Sequence, residues 1–372
     1  MSGGGVTSPR LGRKGPRYGD VDEVREVGLQ GSPSCSWNNL DSTGYRVTWV
    51  HGDTVVAWEP SGGSMRDAKE GTSTVVGEFE GHIVSGLRCC LVGGVWLVVV
   101  TGTHGVRAYD DASGTCVLDF GLPADEVVAT RAPEAGCMAG VAHCVISGGG
   151  GEDGQAGQAA AESVVVGSST GRVYVFRWDA EACVLVPEVT VEDCKESLCC
   201  LSTEADSTRG KSSGSMLVAG GMTGKVHVWD VVGVDAFVLK AEIFPGSGRD
   251  YPAVSARVMQ GGKNFLVGFG DGLVSVYSIV GYTKIAHIQV CSRYLAAMDY
   301  LPGHEHLAVV SEDSTVNVLD LSNLGHLKLA MAYSHVWDNR MCTGVAYAGK
   351  DLGTLAVSAY DTDMLRLMPI TL

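Results

Sequence analysis

Met216–Val231, MLVAGGMTGKVHVWDV, is the stretch from which the rest of the chain can be read. Met216 to Ala219 is a short apolar run, and Gly220 to Gly224 is a tight glycine-rich connection. Lys225 to Trp229 then alternates polar and apolar residues. A period of two places Val226 and Val228 on one face of a strand and His227 on the other. Two such strands joined by a turn containing Gly form a β-hairpin. One hairpin cannot bury its apolar faces alone, so the pattern has to recur.

It occurs seven times in all. Third-strand signatures are Thr54 to Trp58 (TVVAW), Gly105 to Tyr109 (GVRAY), Gly171 to Phe176 (GRVYVF), Gly224 to Trp229 (GKVHVW), Gly272 to Tyr277 (GLVSVY), Ser314 to Leu319 (STVNVL) and Asp363 to Leu367 (DMLRL). Their last residues fall at 58, 109, 176, 229, 277, 319 and 367, so the gaps are 51, 67, 53, 48, 42 and 48. A propeller blade whose third strand closes on Trp-Asp takes about 40–45 residues. Most gaps are therefore one four-stranded blade plus modest loop growth, and the spacing predicts an all-β, seven-bladed WD40 propeller over residues 32–372. Two stretches expand the connection from a first to a second strand. These are residues 147–162 (SGGGGEDGQAGQAAAE), which close the widest gap, and residues 204–215. Both are expected to be mobile.

The chain stops five residues after Leu367, so the last blade needs an outer strand from the N-terminal segment to close the ring. Ser36 to Leu40 (SWNNL) is the candidate. Residues 1–31 are Gly-, Arg- and Ser-rich and are expected to form a disordered basic tail. On this reading, deleting residues 1–31 leaves the fold intact and deleting residues 1–42 destroys it.

Composition narrows the function classes. The chain has 372 residues, 45% hydrophobic, with 51 Gly and a net charge of −15. Residues 1–19 hold Arg10, Arg13, Lys14 and Arg17 and no acid, so the remainder carries −19. Nucleic acid, which needs a basic footprint, is excluded as the main partner. No apolar run is long enough for a transmembrane helix, and no apolar leader follows the basic start. A cytoplasmic location is expected, with association to vesicles or cilia as an alternative. The twelve cysteines contain no Cys-x-x-Cys and are expected to be free, small hydrophobes on strands rather than metal ligands.

Asn38-Asn39-Leu40, Val50-His51-Gly52, Ala68-Lys69-Glu70-Gly71, the hairpin GFGDGLVSVY at Gly268 to Tyr277, Glu312-Asp313 and Tyr360-Asp361 carry a more specific likeness. On these residues the chain, from Ser36 to its end, resembles the WD repeat-containing protein 54 family. The resemblance implies an intracellular, non-catalytic propeller and brings no catalytic residues. The basic tail and the insertion at residues 147–162 depart from it. So does the turn between second and third strands. There, Asp271, Asp313 and Asp361 keep the Asp expected to bond a blade histidine, while Thr223 replaces it.

No nucleophile elbow, phosphate loop, calcium loop or metal-ligand spacing occurs. Catalytic, cofactor and metal sites are therefore expected to be absent, and a propeller enzyme is the disfavoured alternative. What remains is recognition by loops on a rigid scaffold. Trp, Tyr and Arg dominate interface energetics. They single out three connections that lead from one blade into the next: Arg249 and Tyr251; Arg293 and Tyr294; and His335, Trp337 and Arg340. The loop with Lys69 and Glu70 is a fourth. Trp337-Asp338-Asn339-Arg340 also spells the Trp-Asp-x-Arg box by which some propellers dock to a cullin-type ubiquitin-ligase adaptor. That makes a ligase substrate receptor the runner-up, although the box should end a third strand and here falls beyond one. The expected partners are proteins, basic segments foremost, with weak self-association besides.

Overall fold

A computed structural model describes residues 16–19, 23–29, 31–129, 138–146, 161–192, 194–208, 216–233, 236–246, 251–326 and 329–372. Seven antiparallel sheets follow one another along the chain and stand around a common axis. Blades 1 to 6 span residues 41–78, 84–121, 138–191, 198–243, 253–289 and 295–336, and blade 7 begins at residue 342. In blades 1 to 6 the four strands pair in sequence order. The first strands of successive blades touch one another in a closed ring, that of blade 7 meeting that of blade 1. All seven expected third strands are present, from Thr54–Pro60 in blade 1 to Met364–Thr371 in blade 7. Trp49, Trp58 and Trp229 are almost wholly buried. The core lies in the seams, as where Leu97 and Val99 of blade 2 meet Val164 and Phe176 of blade 3.

Ring closure differs from the expectation in its residues. The outer strand of blade 7 is Arg25–Gly28, paired with Met364 to Leu367, and Arg17–Tyr18 continues it beside Ile370 and Thr371. Ser36 to Leu40 is not that strand. The reason is physical. An outer strand needs one buried face only, and Val27, 2% exposed against Leu365 and Leu367, supplies it. Arg25, half-buried and donating to Arg66 O, and exposed Glu26 hide the strand in a charged sequence. Tyr18 reaches the seam of blades 6 and 7, where its hydroxyl lies 2.8 Å from His306 Nδ1 and 3.1 Å from the Tyr347 hydroxyl. The propeller therefore starts before residue 32, and the paired part of residues 1–31 belongs to it. Residues 1–15, 20–22 and 30 lie outside the described residues.

Of the first insertion, residues 147–160 lie outside the described residues, and Ala161 and Glu162 already belong to the strand Ala161–Ser168. The second starts with a short helix, Glu204–Thr208, and residues 209–215 lie outside the described residues. That helix serves the axis, since the side chain of Asp206 is 1% exposed inside the ring. None of the eleven described cysteines is in a disulfide; Cys89, Cys90 and five others are buried, whereas Cys35, Cys116 and Cys183 are exposed. No described helix is long and apolar enough to cross a membrane.

Candidate functional site

Strands alternate in direction, so two families of connection share each face. Connections from an outer strand into the next blade lie with those between second and third strands; this is the top face. The other two families form the bottom face.

The top face is built on a repeated irregularity. In blades 2 to 7 the pairing of first with second strand slips by one residue, and Ser85, Gly140, Cys199, Val254, Ala296 and Thr343 are the positions skipped by the register. A bulged residue leaves the ladder locally unsatisfied. Three of these carbonyls are met by residues 37–39, the stretch expected to be a closing strand. Asn38 Nδ2 donates to Val254 O at 3.0 Å, Asn38 N to Ala296 O at 3.0 Å and Asn39 N to Thr343 O at 3.1 Å. The segment thus crosses the mouth of the axial channel. Asn38 takes φ of 51°, which Asn tolerates better than most residues. Trp37 stacks on Tyr294, with centroids 5.1 Å apart and planes 20° apart.

Below this cap the axis is filled by charge. Arg88 and Arg257 face Asp41, Asp206 and Asp299. Arg88 Nε lies 3.6 Å from Asp41 Oδ2 and 3.7 Å from Asp206 Oδ1, and Arg257 Nε lies 3.5 Å from Asp299 Oδ1. The carboxylates also accept backbone N–H groups of neighbouring blades: Cys89 to Asp41, His143 to Asp206 and Tyr347 to Asp299, each at 2.8 Å. Burial pushes the Asp41 carboxyl up, against the pull of Arg88. Burial pulls the Arg257 guanidinium down, and Arg88 adds to that. Burial also acts against the Arg88 charge, but Asp206, Asp41 and Asp299 together hold its guanidinium above the usual range. The cavities lined in part by Arg88 measure only ≈ 20 and ≈ 40 Å³, room for one to a few waters.

The expected recognition residues scatter over this frame. Arg293 is exposed and Tyr294 half-buried at the capped mouth. His335, Trp337 and Arg340 come together in one open groove of ≈ 610 Å³ between blades 6 and 7, with Glu26, Asp338 and Arg366. There His335 is part of the outer strand Ala330–Val336 rather than a loop. Trp337 is folded back into the core at 4% exposure, so its ring is not presented to a partner. The Arg366 guanidinium lies 4.5 Å over that ring, donates to Glu26 Oε1 at 2.7 Å and lies 2.7 Å from His335 Nε2. Burial, then Arg366, pulls the His335 imidazole down. Arg340 donates to Asp361 O at 3.4 Å. Tyr251, 45% exposed, lines a second groove of ≈ 570 Å³ with Phe269, Leu273 and Ile288. Arg249 lies outside the described residues. Lys69 and Glu70 are exposed, but they sit between the third and outer strands of blade 1 and so lie on the bottom face. Among the described ones the structure brings His335, Trp337 and Arg340 into one groove, while Arg293 with Tyr294 and Lys69 with Glu70 are neighbours along the chain.

Sequence reasoning missed Trp37, whose signal was a lone Trp in a polar stretch outside the blade pattern. Ile83, Met222, Phe244 and Tyr360 are also large, exposed and on top-face connections. Asp313, expected to bond a blade histidine, sits among hydroxyls instead. Asp313 accepts the hydroxyls of Ser311, Thr315 and Ser292 at 2.6, 2.5 and 2.9 Å, and these bonds hold its carboxyl well below the usual range in spite of burial. Thr223 instead donates to Glu196 Oε2 at 2.8 Å.

No protein-family profile and no curated protein matches the chain by sequence. By structure it is similar to a chain in the crystal structure of the mitotic checkpoint complex, with TM-score 0.67 and 14% identity over 99% of this chain and 96% of that one. At that identity the likeness carries the architecture, a WD40-type seven-bladed propeller, and no role.

Proposed function

We propose that the chain is a non-catalytic protein-interaction scaffold of the WD repeat-containing protein 54 family, working through its top face in the cytoplasm. One observation carries this. The axis, where a propeller could hold a small substrate, is capped by residues 37–39 and filled by five charged side chains that are only 1–16% exposed, whereas open grooves lie on the top rim, one of them lined by exposed Tyr251. Apolar anchors at the edge of an acidic body suit protein segments of basic or mixed charge, because charge complementarity speeds encounter. Cysteines without disulfides, among the described residues, agree with a reducing compartment.

Neither alternative is favoured by a specific observation. In the Trp-Asp-x-Arg box, Trp337 is buried and Arg340 is turned onto the Asp361 carbonyl, which speaks against presentation to a ligase adaptor. For an enzyme, the nearest arrangement is Cys194 Sγ at 3.3 Å from His227 Nε2, with His227 Nδ1 3.5 Å from Glu242 Oε1. Both rings of that argument fail on burial, which pushes the Cys194 thiol up and pulls the His227 imidazole down. The pair is held neutral, the opposite of an activated thiolate. The test is affinity purification with mass spectrometry, wild type against a Phe244→Ala, Tyr251→Ala, Arg293→Ala variant of unchanged melting temperature. Loss of specific partners is expected. An unchanged partner set would remove the top-face reading.

A further inference from the structure

Three top-face connections converge beside blade 3. The connection from blade 2 brings Asp125 and Glu126, on the short helix Ala124–Ala129. The turn between the second and third strands of blade 3 brings Thr170 and Arg172, and the connection into blade 4 brings Glu192 and Cys194. Together they line a cavity of ≈ 220 Å³. Arg172 is the one cation among the lining residues, and it is shared by three carboxylates. Its Nη1 lies 2.5 Å from Asp125 Oδ2 and 3.8 Å from Glu126 Oε1, and its Nε lies 3.0 Å from Glu192 Oε1. One guanidinium against three carboxylates leaves the site with an excess of negative charge.

An acidic cluster alone would be a solvated surface, and Asp125 and Glu192, 61% and 63% exposed, fit that description. Glu126 does not. It is 1% exposed, in the wall of the cavity. The Tyr174 hydroxyl donates to its Oε1. Its Oε2 is buried with no hydrogen-bond partner. A buried carboxylate half left unpaired is costly unless something cationic completes it. The cavity is the size of a single long side chain rather than of a folded surface.

We infer that this pocket receives a cationic side chain, lysine or arginine, from a basic segment of a protein partner. The inference rests on the top-face scaffold reading and gives it a specific contact. The incoming N–H groups meet Asp125 and Glu192 at the mouth and the negative charge of Glu126 at the wall. Charge-assisted bonds of this kind are the strong ones, so removal of one carboxylate should be visible in affinity.

The probe is a fluorescent dodecapeptide alternating lysine with serine and glycine, compared with the same peptide carrying norleucine for lysine. Anisotropy is measured on the full chain at 50 and 200 mM salt. The lysine peptide should bind at least about tenfold tighter than the norleucine peptide. Glu126→Gln keeps an acceptor for Tyr174, and Glu192→Gln changes an exposed residue, so at least one remains folded. Each should weaken the lysine peptide by about tenfold and flatten its salt dependence. Glu80→Gln, on the connection between blades 1 and 2, should stay within twofold of wild type. Wild-type affinity in both pocket variants would overturn the pocket, and so would failure of the lysine peptide to bind at all. Displacement of the peptide by micromolar calcium or magnesium would assign the pocket to a metal ion and overturn it likewise. In each of these cases partner capture that still depends on Phe244, Tyr251 and Arg293 leaves the scaffold reading standing.

Discussion

Deleting residues 1–31 should cripple the propeller, and deleting residues 1–15 should not. The longer truncation removes Arg25–Gly28 and Arg17–Tyr18, the only strands that cover the third strand of blade 7 among the described residues. Val27 leaves a site where it is 2% exposed, and burying such a side chain is worth about 1.5–3 kcal/mol. Tyr18 takes with it hydrogen bonds to His306 and Tyr347, together about 1–3 kcal/mol at the usual net worth. The freed backbone groups of Met364 to Thr371 pass to water and add little. The sum is about 2.5–6 kcal/mol, against a typical total of about 5–15 kcal/mol for a native protein. Urea denaturation followed by tryptophan fluorescence measures it. Full-length protein and the residue 16–372 form should share a midpoint, the residue 32–372 form should unfold at markedly lower urea, and Tyr18→Phe should fall slightly below wild type. A residue 32–372 form with the wild-type midpoint would refute the assignment of the closing strands.

Trp337→Ala should lower stability by about 3–5 kcal/mol, as for other buried Trp residues, in the same urea experiment in which Tyr251→Ala changes little; the reverse ranking would restore Trp337 as a presented anchor. Asp206→Ala strips Arg88 of one partner and the His143 and Thr203 N–H groups of their acceptor, so a loss of about 3–5 kcal/mol is expected, and a loss under 1 kcal/mol would show that the axial charges are dispensable. Acid should loosen the seams: burial holds the imidazoles of His227, His306 and His335 below their ordinary value, helped by Arg366 at His335 and against the pull of Glu196 and Glu242 at His227 and of Asp320 at His306. The folded state then binds fewer protons than the unfolded one. The stability these groups contribute is complete above an unfolded-state pKa of about 6.5 and is lost as pH falls below it toward the depressed folded values. Melting temperatures from pH 7.5 to 5 should decline, and a His227→Gln, His306→Gln double variant should decline less; equal slopes would remove the histidines as the cause.

The blade order was legible because third strands bury both faces of an alternating run against aromatic ends, and Trp229, Phe176 and Tyr277 mark them plainly. The closing strand was not. Arg25-Glu26-Val27-Gly28 buries one side chain, and a single Val among charges has no period to detect. Trp337 misled for the opposite reason. A Trp in a polar run looks presented, but Arg366, far along the sequence, stacks on it and the seam of blades 6 and 7 takes it in. No local signal marks Glu126, because an acid in a loop reads as solvated until three connections are seen to enclose it.

Residues 37–39 tie the fold to the recognition reading. Each first strand in blades 2 to 7 carries one residue too many for its neighbour, and a ring of such bulges turns carbonyls toward the axis at its upper end. Those carbonyls need donors. Water could supply them and leave an open channel, but Asn38 and Asn39 supply them from the chain itself, and the channel is closed as a consequence. The same cap presents Trp37 against Tyr294 at the centre of the top face. Replacing Asn38 by Ala removes one of its two bonds, the side-chain donor to Val254, and an αL-tolerant residue together. It should therefore reduce stability and loosen Trp37 in a single step, seen as a red shift and greater quenching of tryptophan emission before global unfolding. Unchanged emission would mean that the cap is held by the Trp37–Tyr294 stack and the backbone bonds alone, and that the bulge carbonyl of Val254 does not need the asparagine.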